Sequence, residues 1–249
     1  MPLLKGLKMT GRGSLYVGTS GFAFKEWKGP FYPEGTTDKK MLAYYSSKLG
    51  SVEINYTFRR MPSESTLQTW KEQSAGSFRF TLKAPQRITH FKRLVDAEED
   101  VAEFVRRARL LEERLGTILF QLPPNFRYDK QKLQSFAAAL PPVARYAMEF
   151  RHESWREDEP KQILGEHGIA YCGADTDELA LREVPVTAQH VYLRLRRQEY
   201  SDEDLADWSN RVSGALDDGR DVYCYFKHEG GGVGPAYALA VEKAAGGRA

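Results

Sequence analysis

Cysteine is scarce, with only Cys172 and Cys224 in 249 residues. Two thiols cannot build a disulfide framework, and neither sits in a CxxC pair of the kind that holds zinc or runs redox chemistry; a reducing, cytoplasmic setting is expected. Histidine is nearly as sparse, with five residues and no HxH or HExxH spacing, so the common metallohydrolase signatures are missing. No apolar run approaches the roughly 20 residues of a membrane span. In the stretch 1–13, Lys5, Gly6 and Lys8 interrupt Leu3, Leu4 and Leu7, which excludes a signal-peptide core and reads as a flexible N-terminal extension. Charge of one sign is also lacking. Lys plus Arg (36) against Asp plus Glu (34) leaves +2, which excludes a dominant polybasic tail or an acidic disordered chain and selects no partner. With no GxGxxG or P-loop pattern, no cofactor is expected, a divalent metal being the minor alternative.

What the chain does have is alternation. Strand patterns fall at Leu15 to Gly18, Ser51 to Asn55, Phe78 to Lys83, Thr117 to Leu122, Arg145 to Phe150, Ile169 to Gly173, His190 to Leu195 and Asp221 to Phe226. Helical patterns separate them: Asp38 to Leu49, a segment from Ser63, Asp96 to Leu115 with Gly116 as its stop, Asp129 to Leu140, Glu157 to His167, Ser201 to Leu216 and Pro235 to Ala245. The segment Asp175 to Gln189 carries Pro185 and scattered Leu residues, so the helix after strand six is expected to be weak or missing. Strict strand–helix alternation requires parallel strands with helical crossovers. No linker divides the chain, and residues 14–249 read as a single-domain α/β TIM (β/α)8 barrel, with a doubly wound open sheet as the second reading.

Successive strand residues face opposite sides. Turning the apolar set toward the helices leaves Glu53 and Asn55, then Arg79, Thr81 and Lys83, then Gln121, then Glu149 and Arg151 on the inside. His190, Tyr192, Arg194 and Arg196 follow from strand seven, and Tyr223, Tyr225 and Lys227 from strand eight. Two acids against six bases predict a net-positive interior, for which an anion is the natural guest. Glu53, Asn55, Lys83, Gln121, Glu149 and Arg151 come late in their strands, at the C-terminal mouth where barrel active sites sit.

The flanking motifs are more specific. They run Val17-Gly-Thr-Ser-Gly21, Phe22-Ala-Phe-Lys-Glu-Trp27, Gly29-Pro-Phe-Tyr-Pro33, Val52-Glu-Ile-Asn-Tyr-Thr-Phe58, Phe80-Thr-Leu-Lys-Ala-Pro85, Leu119-Phe-Gln-Leu-Pro-Pro124 and Glu149-Phe-Arg-His-Glu-Ser-Trp155. Together, and in this order, they closely resemble the YecE-like family, domain of unknown function 72, over about Tyr16 to Phe226. The resemblance implies a TIM barrel and supplies no reaction. Four places depart from the family pattern, one of them an Asn expected in the last helix and replaced near Tyr237. Phe22 stands where Trp is common, Arg194-Leu-Arg-Arg197 replaces an Arg-x-His-Gly, and Phe226-Lys-His-Glu229 replaces a Phe-Asn-Asn-Asp.

The expected function is binding of an anionic, phosphate-containing ligand at the mouth, with acid/base chemistry on it as an extension. Glu149, Glu53 and Lys83 are the candidate catalytic residues. A carboxylate pair among cations stays ionised, which favours a base over an acid. Ser20, Asn55, Gln121, Arg151 and Arg194 are expected to bind substrate, together with Trp27 and Phe22 from a loop where aromatics interleave with Lys25 and Lys28. That loop, whose aromatics can stack on bases while lysines take phosphates, supports a non-catalytic nucleic-acid-binding alternative. A metal-dependent, endonuclease-like enzyme is the other alternative, with no metal ligands assigned. Packing of the aromatics beneath the first helix, and mutual pairing of the buried charges, are the plain structural readings of the same residues. The glycines 230–232 and Gly234 stand where many barrels hold a phosphate, without a motif to make them specific.

Overall fold

A computed structural model describes residues 11–246. β1 (Leu15–Ser20), β2 (Ser51–Ile54), β3 (Arg79–Lys83), β4 (Leu115–Gln121), β5 (Arg145–Glu149), β6 (Ala170–Tyr171), β7 (Gly173–Asp175), β8 (His190–Leu195) and β9 (Asp221–Phe226) form one sheet in the order β6-β5-β4-β3-β2-β1-β9-β8-β7. All pairs are parallel. The expected sixth strand is present as two pieces. β6 pairs with β5, β7 pairs with β8, and Cys172 between them donates its backbone N–H to Met148 O at 2.8 Å. The sheet therefore closes into a barrel through the chain itself at that point, which makes β6 and β7 two halves of one barrel strand.

Outside the strands lie α1 (Asp38–Lys48), α3 (Glu64–Gln73), α4 (Glu98–Ala108), α5 (Lys130–Ala139), α6 (Asp158–Glu166), α7 (Asp202–Asp217) and α8 (Val233–Ala244), with a single turn, α2 (Tyr56–Arg59), directly after β2. Several starts are fixed by side chains that accept otherwise unpaired backbone N–H groups. Ser63 accepts from Thr66 N and Asp129 from Lys132 N, both at 3.1 Å, and Ser201 forms a reciprocal capping box with Asp204. No helix lies between β7 and β8, as Pro185 and the broken apolar pattern there imply.

The helix expected over Asp96 to Leu115 is shorter than its apolar stripe. It begins only at Glu98, tightens into 3-10 turns at Arg109–Arg114, and is broken at Glu112, whose φ is 53°. Leu115 already pairs with Phe80 in the sheet. Gly116 is a strand residue, not a stop signal; a side chain there would come within 2.8 Å of the Tyr223 ring.

Of the stretch expected as a flexible extension, 1–10 lies outside the described residues. Arg12 and Gly13 are tied down, Arg12 to Asp217 and Ala245 O, and Gly13 N to Leu216 O.

Two buried layers result. The larger packs the outward strand residues, such as Val52, Leu82, Phe120 and Met148, against the helices. The smaller, inside the ring, holds Leu119, Ala147, Ala170, Cys172, Tyr192, Tyr223 and Tyr225. Above this inner layer the side chains become ionic. No described helix is long and apolar enough to cross a membrane.

Candidate functional site

Strand parity sends Glu53, Glu149 and Arg194 into the ring near the C-terminal ends of β2, β5 and β8, and there they meet. Arg194 bridges the two acids, with Nη2 2.8 Å from Glu53 Oε1 and Nη1 on Glu149 Oε2. Both carboxylates are wholly buried and Arg194 is 2% exposed. Buried charges persist only when paired and hydrogen-bonded, and this network supplies both. Glu53 also accepts from Tyr192 Oη at 2.6 Å, Ser20 Oγ at 2.8 Å and, more weakly, Asn55 Nδ2 at 3.4 Å. Glu149 has Arg196 Nη2 at 3.1 Å and Arg151 Nε at 3.4 Å.

A second, neutral node adjoins it. Gln121 Oε1 accepts from Lys83 Nζ at 2.8 Å and from Arg151 Nη2 at 3.1 Å. Lys83 lies over the Phe58 ring, 4.1 Å from its centroid, and among the described residues makes no ion pair within 4 Å. Phe58 in turn packs edge-on with His90 at 4.9 Å.

Burial by itself would raise the pKa of both glutamates. The groups around each outweigh it together: Arg194, the Tyr192 and Ser20 hydroxyls and Lys83 at Glu53, and Arg194, Arg196 and Arg151 at Glu149. Both pKa values end below the ordinary 4.5, that of Glu149 at about 2. Lys83 moves the other way. Burial and the charge of Arg194 lower it from 10.5 to about 8, with Arg151 adding to them and the two glutamates opposing. Burial and the charges of Lys83, Arg151 and Arg93 likewise hold His90 below its ordinary value.

Two acids against Lys83, Arg151, Arg194 and Arg196 leave a surplus of two positive charges at the mouth. The larger excess expected from parity shrinks for a positional reason. Arg79 sits at the opposite, N-terminal end of the barrel, where its Nη1 donates to the Ser77 and Phe78 carbonyls, and Lys227 is exposed. Arg196 Nε is buried with no hydrogen-bond partner among the described residues. Arg151, Arg196 and Lys227 line an open cleft of about 1480 Å³ whose far wall is the helix-free segment 176–186. The opposite end of the barrel holds a smaller cavity of about 720 Å³, lined by Tyr16, Arg79, Arg145 and Tyr223.

Eight of the ten expected site residues thus converge: Ser20, Glu53, Asn55, Lys83, Gln121, Glu149, Arg151 and Arg194. Trp27 and Phe22 belong to a different layer. Trp27 is fully buried against Phe24, Phe31 and Tyr32, and its Nε1 donates to Glu229 O at 2.9 Å. Phe22 packs near Tyr45, and its carbonyl accepts from Tyr32 Oη. With both faces enclosed, the Trp27 ring has no surface on which a base could stack. The glycine-rich turn after β9 is likewise shaped by packing; a side chain at Gly232 would strike Pro30 at 2.8 Å.

Of the histidines at strand ends, His152 uses Nδ1 to accept from Ser154 N at 3.1 Å. Buried His190 bonds Tyr146 O. Among the described residues no group of three His, Cys, Asp or Glu side chains is placed to hold a metal ion.

Two contributors had no place among the expected site residues. Arg196 is the second residue after the His190 to Arg194 run and follows the same parity, which was the available signal. Phe58 comes from α2, and a four-residue helix is too short to show a period.

The geometry defines a single-domain parallel α/β barrel whose C-terminal mouth carries a buried carboxylate–guanidinium network with cations to spare. The chain belongs to the family described as Protein of unknown function DUF72, whose model matches residues 16–249. It is 29% identical to UPF0759 protein YecE of Escherichia coli K12 over 178 residues, which is 71% of this chain and 62% of that protein. The match thus spans under two thirds of that relative's length. With UPF0759 protein YunF of Bacillus subtilis it shares 21% identity over 88% of this chain and 90% of the relative. A crystal structure of a DUF72 family protein from Thermotoga maritima superposes with a TM-score of 0.81 at 30% identity, covering 92% of this chain and 98% of that one. One from Enterococcus faecalis gives 0.79 at 19% identity, over 94% and 96% of the two chains.

Proposed function

We propose that the barrel mouth binds a small anionic, phosphate-bearing ligand and that Lys83 transfers protons to or from it. The observation that carries this reading is the division of labour among the cations. Arg194 lies between the two buried glutamates and Arg151 and Arg196 also pair with Glu149, yet four cations face two acids there, and a buried donor at Arg196 Nε has no hydrogen-bond partner among the described residues. Guanidinium groups suit phosphate and carboxylate because their donors match two oxygens at once. The proton-transfer role expected of Glu149 passes to Lys83. A carboxylate held at about 2 takes up a proton poorly at neutral pH, whereas an amine at about 8 exists in both forms there.

The test is calorimetric titration of the protein, and of R151M and R196Q, with inorganic phosphate at fixed ionic strength. A hydrogen bond to a charged partner contributes about 1.5–3 kcal/mol, so each substitution is expected to weaken binding roughly tenfold or more. Absence of binding at millimolar phosphate, or unchanged affinity in both variants, overturns the reading.

A further inference from the structure

The setting of Lys83 differs from that of a lysine that serves only as a cation. A lysine recruited for its charge is normally found against a carboxylate, and two carboxylates are close by. Yet Lys83 makes no ion pair with either; both are turned to Arg194, and among the described residues the one hydrogen bond of its side chain goes to the neutral amide oxygen of Gln121. On its other side lies the face of Phe58. It is 9% exposed, at the end of β3, on the face of the barrel where sites are built. The charged and titratable groups that act on it are Arg194, Arg151, Glu53 and Glu149, with His90 beyond the Phe58 ring. An apolar neighbour, a neutral acceptor and adjoining like charges are the circumstances that turn a lysine into a nucleophile.

We propose that Lys83 is a nucleophilic amine that forms an imine with an aldehyde or ketone carrying a phosphate or carboxylate group. The lone pair of Nζ attacks the carbonyl carbon, and the C–N bond forms as the carbonyl π pair moves to oxygen. That oxygen takes up a proton and the new ammonium loses one, giving a carbinolamine; its hydroxyl then takes up a second proton, the one Lys83 shed on becoming a free amine, and leaves as water while the nitrogen lone pair forms the C=N bond. In sum, an ammonium and a carbonyl give a protonated imine and water, with no oxidant or reductant consumed. The anionic end of the same molecule is held by Arg151 and Arg196, and this half of the recognition rests on the function proposed above. The lowered pKa supports the assignment. At about 8, roughly one Lys83 in ten is a free amine at pH 7, against one in a few thousand for an ordinary lysine.

The probe is pyridoxal phosphate, which carries both an aldehyde and a phosphate, with borohydride reduction to fix any imine and peptide mapping to locate it. Lys83 is expected to label at lower probe concentration than surface lysines, with labelling rising through pH 8 and suppressed by inorganic phosphate. K83R keeps the positive charge and a donor toward Gln121, and is expected to lose this labelling. Because the wild-type map ranks Lys83 against every other lysine in the same sample, the result does not depend on the variant folding. Phosphate binding without preferential labelling of Lys83 overturns the imine and leaves the anion site standing. Preferential labelling that phosphate neither binds against nor suppresses overturns the anion site and leaves the nucleophile.

Discussion

Arg194 is the residue on which the mouth depends. Its two terminal nitrogens each pair with a wholly buried carboxylate, and its own charge is stabilised in return; burial disfavours it, but Glu149 and Glu53 together outweigh that and raise its pKa well above the usual value. Removing one member of a buried pair leaves an uncompensated charge, which costs on the order of 3–5 kcal/mol. R194M, which preserves much of the volume, is therefore expected to lower the urea-denaturation free energy by about that amount, with Tyr192, Ser20, Arg196 and Arg151 softening the loss. A stability equal to wild type shows that the ion pairs are dispensable. The inward direction of Glu53, Glu149 and Arg194 was readable from alternation alone. That one guanidinium would take both acids was not, because the partners are 141 and 45 residues apart in the chain and alternation carries no information about distance across the ring.

Strands and helices differ in how much of them periodicity can reveal. β8 and β9 appear with the expected bounds, and α1, α5, α6 and α7 within a residue or two. The misreading at α4 has a definite cause. Val101, Phe104, Val105, Ala108, Leu111 and Leu115 keep a helical spacing, but Leu115 is claimed by pairing with Phe80, and the backbone must leave the helix to deliver it. Close approach also governs β1. Gly18 lies opposite Ser51, and a methyl group there would stand 1.8 Å from the Ser51 carbonyl oxygen. Backbone cannot yield as a flexible side chain can, so G18A is expected to cost about 3 kcal/mol, the upper end for overpacking, or more. Thermal denaturation measures it, and a melting temperature within a degree or two of wild type contradicts the stated packing.

For the whole molecule, the shifted groups set the response to pH. Glu149 at about 2 and Glu53, also lowered, stand against an ordinary 4.5. Buried His190, pushed down to about 4 by desolvation and by Arg145, stands against 6.5. In each case the unfolded chain binds more protons than the folded one between the two values, so stability falls as pH drops through that window. The denaturation midpoint is expected to decline from about pH 6.5 and most steeply below 4.5. Lys83, lowered to about 8 from 10.5, has the same sign at the other end, adding stability as pH rises between those values. A urea midpoint that stays flat from pH 6 to pH 3 contradicts the arrangement at the mouth.

Alternation and motif order are local properties of a chain, and they were enough for the barrel, the inward face of six of its strands, the missing helix before β8 and the family. How the charges pair was settled by the folding of the ring. Arg79 went to the far end, Trp27 and Phe22 into an aromatic layer, and Arg194 between two glutamates, leaving Lys83 against Gln121 and Phe58. The near-neutral total of +2 conceals that outcome, since electrostatic energy depends on separation and burial, and both are fixed only when the ring closes.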